Sequence, residues 1–537
     1  MTVRNERLRS VSSSRFFQLG GLVFLAFITT VGGSFGVWWW LNLPPREPVH
    51  FAEGTYFNWT DCWFPKSFPY ISHCGYLHTD SLQQGVEHTR IAVVVLRAWS
   101  WVRYPEPVLY LSGGPGASVH LEPAAIEYWR LWQRRSTPGR DLVLFDPRGV
   151  GYSEPAVRCP ELMDVLRDLF PQNLSKEEEF RRGDDALERC YTRLKAQGVN
   201  FAALSTLRTV DDARKIMAGV APDRSWNIFA LSYGTRVALE LMRAGDAKLR
   251  AVVLDSVYPP EVNDMSTWPW LANHVLETVA EGCENIPTCF AAYGDVRQLF
   301  QSARAQLTQS PVTLDIVKRD TGETIPMVLN GDRLFGLIFF AMYDWQRVRE
   351  VPHALYGVVK GDLTVIRDFM EAYLNMALDP TFSDPVYHTV ECTDSEGVDQ
   401  KKFEAEVAKY PLVADLVRLD WKYQRCDRWR EGRTGGGVTP QPVKSDVPTL
   451  LLSGEYDPTT PPAWAQGVAK NLPSSFHLIF PGTGHGVVDS DECAEVITQE
   501  FLREPFQAPK NTCLSQHAGV EFALPASIPL AITTDNQ

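Results

Sequence analysis

The sequence predicts an α/β protein: a mostly parallel sheet with helices on both faces, interrupted by a large helical insertion. Three observations lead there. Short apolar runs rich in β-branched residues alternate with helical patterns from residue 85 to 260, as expected of strands joined by crossover helices. The alternation stops between 261 and 444 and resumes from 445 to 515. A small-x-Ser-x-small turn, Ala230-Leu231-Ser232-Tyr233-Gly234, joins a strand-like run to an amphipathic helix.

Size and composition narrow the class. The chain has 537 residues, 45% of them hydrophobic and 22% charged, which is globular composition. A net charge of −13 with no basic stripe argues against nucleic acid as a partner. The 10 cysteines form no Cys-x-x-Cys pair and no Cys/His cluster with zinc spacing. Disulfides are the better reading, and they imply an oxidising compartment. No metal and no organic cofactor is implied.

The N-terminal end agrees with export. Residues 1–15 carry Arg4, Arg7, Arg9 and Arg15, and residues 16–41 are free of charge and end in Trp38-Trp39-Trp40. Such a run is long enough to span a bilayer, with the arginines on the cytoplasmic side and the tryptophans at the far interface. The rival is a cleaved signal peptide with Gly32-Gly33-Ser34 as its small-residue site. The apolar run continues past that point, which favours a single-pass anchor with the body outside the cytoplasm.

Residues 42–84 read as a proline-rich linker followed by a segment of aromatics and turns that holds Cys62 and Cys74. Strands are expected at Ile91–Leu96, Val108–Leu111, Asp141–Phe145, Trp226–Ala230 and Leu249–Leu254. Helical patterns fall around 176–196 and 209–219. Residues 261–444 are largely helical in pattern and read as a cap over the sheet's C-terminal edge. The strands at Val447–Leu452 and Ser475–Phe480 complete the sheet, and 516–537 form a tail.

The strand-end loops carry the chemistry. A serine at a strand-to-helix turn projects its hydroxyl above the sheet, with a helix N-terminus behind it that favours developing negative charge. It needs a histidine to take its proton and an acid to orient that histidine, in the chain order Ser, Asp or Glu, His. Ser232, Asp457 in Gly454-Glu455-Tyr456-Asp457-Pro458 and His485 in Gly482-Thr483-Gly484-His485-Gly486 stand in that order. Asp255 also ends a strand and is a rival acid. The Gly113-Gly114-Pro115-Gly116 loop has little to block its N–H groups. Gly114 and Tyr233 are the expected oxyanion donors, each worth about 3 kcal/mol. Asp146 and Arg148 read as a charged pair pinning a glycine-rich loop, and Asp211-Asp212 as a solvated helix start.

These motifs, with Asp146-Pro147-Arg148-Gly149-Val150-Gly151-Tyr152-Ser153, Val390-Glu391-Cys392-Thr393-Asp394 and Cys426-Asp427-Arg428-Trp429, resemble the prolyl-aminopeptidase and tripeptidyl-aminopeptidase group of α/β-hydrolase serine peptidases. The TAP-like C-terminal region is part of the resemblance, which runs from about Cys62 to Cys513. It implies Ser232, Asp457 and His485 as a triad that releases N-terminal residues or short peptides from peptide substrates. It also implies the pairs Cys62–Cys74, Cys159–Cys190, Cys283–Cys289, Cys392–Cys426 and Cys493–Cys513. The sequence departs from the family pattern at Ala230, where glycine is usual, and at Ser112, where histidine is common. Neither change removes a catalytic atom.

The expected function is therefore a serine exopeptidase acting from a free N-terminus. An esterase or lipase-like hydrolase with the same triad is one rival, and a non-catalytic hydrolase-fold ectodomain is another. Recognition of an α-ammonium calls for a buried carboxylate. Glu261, Glu277, Glu281, Glu284, Glu391 and Asp394 are the available ones.

Overall fold

The strand-like runs become a ten-stranded sheet. In chain order the strands, all but β9 and β10 belonging to that sheet, are β1 (Val49–His50), β2 (Tyr56–Thr60), β3 (Ser72–Thr79), β4 (Thr89–Leu96), β5 (Val108–Leu111), β6 (Leu142–Phe145), β7 (Trp226–Leu231), β8 (Leu249–Asp255), β9 (Val312–Val317), β10 (Thr324–Leu329), β11 (Thr449–Gly454) and β12 (Ser475–Phe480). The computed structural model describes residues 47–65, 70–245, 247–262, 264–395, 398–423, 426–430 and 437–525. From Val49 onward the chain is one compact unit. The expected membrane-spanning stretch at 16–41 lies outside the described residues. Among the described residues, no helix is long and apolar enough to cross a membrane.

The sheet runs β1-β2-β3-β4-β6-β5-β7-β8-β11-β12. The six strands from β6 to β12 are parallel, and β1 to β4 extend the sheet with antiparallel pairs. Successive side chains of β4 enter opposite cores. Ile91, Val93 and Val95 pack on one face and Ala92, Val94 and Leu96 on the other, as the period-2 pleat requires. A strand buried on both faces reads as a continuous apolar run, and that run is what the sequence displays.

After β5 the chain moves one way to β6, then returns past β5 to β7. The order therefore reverses at β5 and β7, the kind of switch point where open parallel sheets leave a crevice at their carboxyl ends. Ser112 to Gly116 follow β5 there, and Ser232 follows β7.

The chain leaves the sheet after β8 and returns at β11. The inserted stretch has its own apolar cluster, from Met265 to Val417, which also takes in Tyr456 and Phe522. It is not helical throughout, because β9 and β10 form a separate antiparallel hairpin. The C-terminal segment, which carries no sequence signal, lies along it: Ala523 N–H donates to the Arg349 carbonyl at 3.0 Å. Residues 42–84 also hold more structure than their aromatics and turns announce. β2 and β3 pair from Tyr56↔His78 to Thr60↔Cys74, and Cys62 closes on Cys74. All five disulfides join the pairs implied by the family resemblance.

Two electrostatic expectations are corrected. Asp146 and Arg148 do not pair. Asp146 accepts from Ser118 Oγ at 2.8 Å and from the N–H groups of Val119 at 2.9 Å and Tyr152 at 2.8 Å. Arg148 forks onto Asp212 at 2.6 and 2.7 Å and reaches Asp80 at 2.8 Å. Asp212 is consequently buried rather than solvated, while Asp211 pairs with Lys215 at 2.7 Å. Adjacent acids on a helix point about 100° apart, so one faces the sheet and its neighbour faces water.

Removing one partner of a buried pair leaves an uncompensated charge. Arg148→Ala is expected to lower stability by about 3–5 kcal/mol, and the volume-matched double replacement Arg148→Met with Asp212→Leu by much less. Equilibrium denaturation of the three proteins measures both.

Candidate active site

The reversal from β7 into the helix Tyr233–Ala244 rests on one residue. Ser232 has φ 56° and ψ −124°, a conformation that costs a non-glycine residue about 1–3 kcal/mol and persists only where the surroundings over-determine it. Its N–H donates to the Asp255 carbonyl at 2.9 Å, and its carbonyl accepts from Thr235 N–H at 2.8 Å and Thr235 Oγ1 at 2.6 Å. Gly234 has no alternative, because a β-carbon there would sit 2.2 Å from the Leu111 carbonyl oxygen. The close packing of the turn on the end of β5 is thus written as Ser-x-Gly. Ala230 is fully buried and its methyl is accommodated.

The loop after β5 meets the serine directly. A β-carbon on Gly113 would lie 3.2 Å from Ser232 Cβ, so Gly113 is the loop residue seated against the serine. Gly114, the expected donor, is the next residue along and adopts φ 109°. The Tyr233 N–H opens the helix immediately after Ser232.

The acid and the imidazole meet through their loops. His485 Nδ1 lies 2.9 Å from Asp457 Oδ2 and 3.1 Å from Oδ1. That assigns the Nδ1 proton to the carboxylate contact and leaves Nε2 as the basic nitrogen. Asp457 also accepts from the N–H groups of Thr459 at 3.0 Å and Thr460 at 2.8 Å, and from Thr460 Oγ1 at 2.7 Å. Burial would raise its pKa, but the charge and hydrogen bond of His485 and the Thr460 contacts outweigh burial and hold it at about 2. For His485 burial pushes the other way, and Asp457 again wins, raising the imidazole above its ordinary value. The His485 loop lies against the serine's strand, since a β-carbon on Gly486 would be 3.6 Å from Leu231 Cδ1.

Asp255, the rival acid, does a different job. Its carboxylate accepts from the N–H groups of Val487 and Val488, each at 2.9 Å, and so braces the turn that follows His485. Burial raises its pKa to about 7 against those two bonds. Thr460 and Tyr343 are contributors that the sequence reading did not single out. The Asp457-Pro458-Thr459-Thr460 stretch carried a usable signal, since an Asp commonly accepts from N–H groups two and three residues on. Tyr343 carried none. It comes from the insertion, its ring centroid is 4.9 Å from that of His485, and its carbonyl accepts the His485 N–H at 3.1 Å.

Of the six acids considered for an α-ammonium, Glu277 and Glu284 pair with Arg297 at 2.8 and 2.7 Å. Glu391 accepts from the Tyr258 hydroxyl at 3.0 Å, and Asp394 from Thr206 Oγ1 at 2.5 Å. Glu281 is exposed, and Glu261 is half-buried on the loop after β8. The structure thus sets a carboxylate-backed imidazole on a loop that adjoins the strand ending at a serine on a strained turn, and these are the group types that activation of a hydroxyl requires.

Residues 414–513 match the family model described as TAP-like protein. The chain thus has the α/β-hydrolase fold, and its C-terminal region is similar to TAP-like proteins. Its relatives are distant ones. It is 22% identical to the putative hydrolase YuaR of Escherichia coli over 86% of this chain and 93% of that one. It is 25% identical to the serine protease Hip1 of Mycobacterium tuberculosis over 73% of this chain and 77% of that one. A tripeptidyl aminopeptidase of Streptomyces lividans is 26% identical over 38% of each chain.

The imidazole must be neutral to act as a base. The rate at which a fluorophosphonate labels Ser232 is therefore expected to rise with pH through an apparent pKa above 6.5, the ordinary value, and then to level off. Asp457→Asn removes the charge that raises it, so the limb moves to lower pH and the plateau falls by about 10⁴-fold. Asp255→Asn loosens a brace and removes a lesser charge that also raises the imidazole, so the limb moves in the same direction by less than in Asp457→Asn. Labelling rates across pH for the three proteins measure these shifts.

Proposed function

We propose that this hydrolase is a serine exopeptidase that cuts short peptides from a free N-terminus. Ser232 attacks the scissile carbonyl while His485 Nε2 takes its proton. The N–H groups of Tyr233 and of the Gly113–Gly114 loop receive the oxyanion. The imidazolium, held by Asp457, returns the proton to the leaving amine, and water repeats the sequence on the acyl-enzyme. One observation carries the reading: the buried Asp457–His485 pair stands on the same sheet edge as a serine held at positive φ. Relatives described as a serine protease and a tripeptidyl aminopeptidase support peptides as the substrate class. The inserted stretch supports a limited substrate size, since Tyr343 already lies against His485. Five disulfides support a body exported to an oxidising compartment. The charge-free stretch 16–41 would tether it to the membrane.

The test compares the whole protein with its Ser232→Ala variant on chromogenic mono- to tripeptide amides, with the amino terminus free and acetylated. Turnover of the free peptides alone, abolished in the variant, is the expected result. Equal turnover of both series overturns the exopeptidase reading and leaves a broader hydrolase. Inertness toward peptides and esters alike overturns catalysis.

A further inference from the structure

Behind the serine's turn lies a set of buried polar side chains that the proposed hydrolysis does not employ. The Tyr233 hydroxyl and Thr206 Oγ1 are 2.7 Å apart, and Thr206 Oγ1 is 2.5 Å from Asp394 Oδ2. Arg236, one helical turn beyond Ser232, lies 3.7 Å from the same Asp394 oxygen. It donates to the carbonyls of Pro259 at 3.1 Å and Val262 at 2.9 Å. Its guanidinium stacks 3.6 Å above the Tyr258 ring, and the Tyr258 hydroxyl donates to Glu391 at 3.0 Å.

Glu391 and Asp394 belong to the helix Asp384–Asp394 of the insertion. The other end of that helix grips the loop that faces the serine. Ser383, its N-cap residue, donates its N–H to the Gly116 carbonyl at 2.9 Å. One inserted helix therefore holds both peptide segments from which an oxyanion would draw hydrogen bonds.

The hydrogen-bond order is fixed by proton count. An ionised carboxylate accepts only, and a threonine hydroxyl has one proton. Burial raises the pKa of Asp394 and the Arg236 charge opposes it; in the carboxylate form, Thr206 donates to Asp394 and must accept from Tyr233. The Tyr233 phenol is thus held at its tip, while its backbone N–H follows Ser232. A strained φ persists only if neighbouring groups leave the turn no alternative, and this chain of bonds fastens the residue next to the strain.

We propose that Asp394, acting through Thr206 and alongside Arg236, is a positioning residue for the nucleophile turn: it aims the Tyr233 N–H at the oxyanion and keeps Ser232 in its strained conformation. The proposal rests on Ser232 being the nucleophile. It adds that the insertion sets the geometry of the reaction as well as covering it.

The test uses Tyr233→Phe, Thr206→Val, Thr206→Ser and Asp394→Asn in the whole protein. It reads p-nitrophenyl acetate hydrolysis, fluorophosphonate labelling rate and Tm, none of which depends on peptide specificity. Misaiming an oxyanion donor lowers kcat by less than deleting it, so about a tenfold fall is expected for Tyr233→Phe and Thr206→Val. KM should stay within about twofold, as befits an interaction felt in the transition state. The labelling rate should fall in parallel, and Thr206→Ser, which keeps the hydroxyl, should restore it. Wild-type kcat and labelling in Tyr233→Phe and Thr206→Val, with only Tm lowered, would overturn the proposal by reducing the network to a structural one. If Asp394→Asn does not fold, those two variants still decide. A wild-type protein that is never labelled overturns the nucleophile assignment and this proposal together. Ester turnover without peptide turnover overturns only the exopeptidase reading.

Discussion

Everything at the sheet's working edge depends on the close approach of the helix Tyr233–Ala244 to the end of β5. Gly234 sits where any side chain would strike the Leu111 carbonyl, so the helix starts as soon as β7 ends and Ser232 alone absorbs the reversal at positive φ. That reversal lifts the serine clear of the sheet. It also lays the serine against Gly113 at the point where strand order reverses. The placing of the serine and of the adjoining glycine loop both follow from one backbone contact.

The second organising constraint is the treatment of buried carboxylates. Burial disfavours the charged form of each, and the local donors decide which way the balance falls. Asp457, facing an imidazole and a threonine that gives it two bonds, is held ionised. Asp255, where burial outweighs two backbone N–H bonds and the lesser pull of His485, is pushed up to about 7. The same residue type at the ends of neighbouring strands therefore serves in one place as the partner of His485 and in the other as a brace for the turn behind it. Asp212 follows a third pattern, paired by a two-pronged contact with Arg148, and this holds the loop after β6 to the helix Thr206–Val220.

The insertion is joined to this edge by specific contacts. Tyr343 and Met342 pack on the His485 loop, and the helix Asp384–Asp394 reaches both Gly116 and Thr206. The Cys392–Cys426 disulfide and the stacking of His388 on Trp429 at 5.4 Å secure that helix from behind. This gives the two motifs in the insertion a physical role. Val390 to Asp394 supplies the buried acids, and Cys426 to Trp429 supplies the wall that holds them in place.

Much of this was legible in the chain because it is local. Apolar runs buried on both faces mark parallel strands wherever they occur, and the small residues around Ser232 record a turn too tight for larger ones. The order of Ser232, Asp457 and His485 could be read because each follows a strand. The antiparallel strands β2 and β3 were not legible: their residues alternate between a buried and a partly solvated face, and polar side chains interrupt the pattern. Partnership was not legible either. Asp255 and Asp457 both end apolar strands, and Asp211 and Asp212 differ only by their angle around a helix. The sequence by itself determined the periodicities, the tight turn and the chain order of Ser232, Asp457 and His485, since these depend on neighbours a few residues away. Only the tertiary structure decided which carboxylate meets His485, which acid is buried against Arg148 and which inserted helix grips the serine's turn. Those outcomes depend on donors brought from distant segments into a space with no water to substitute for them.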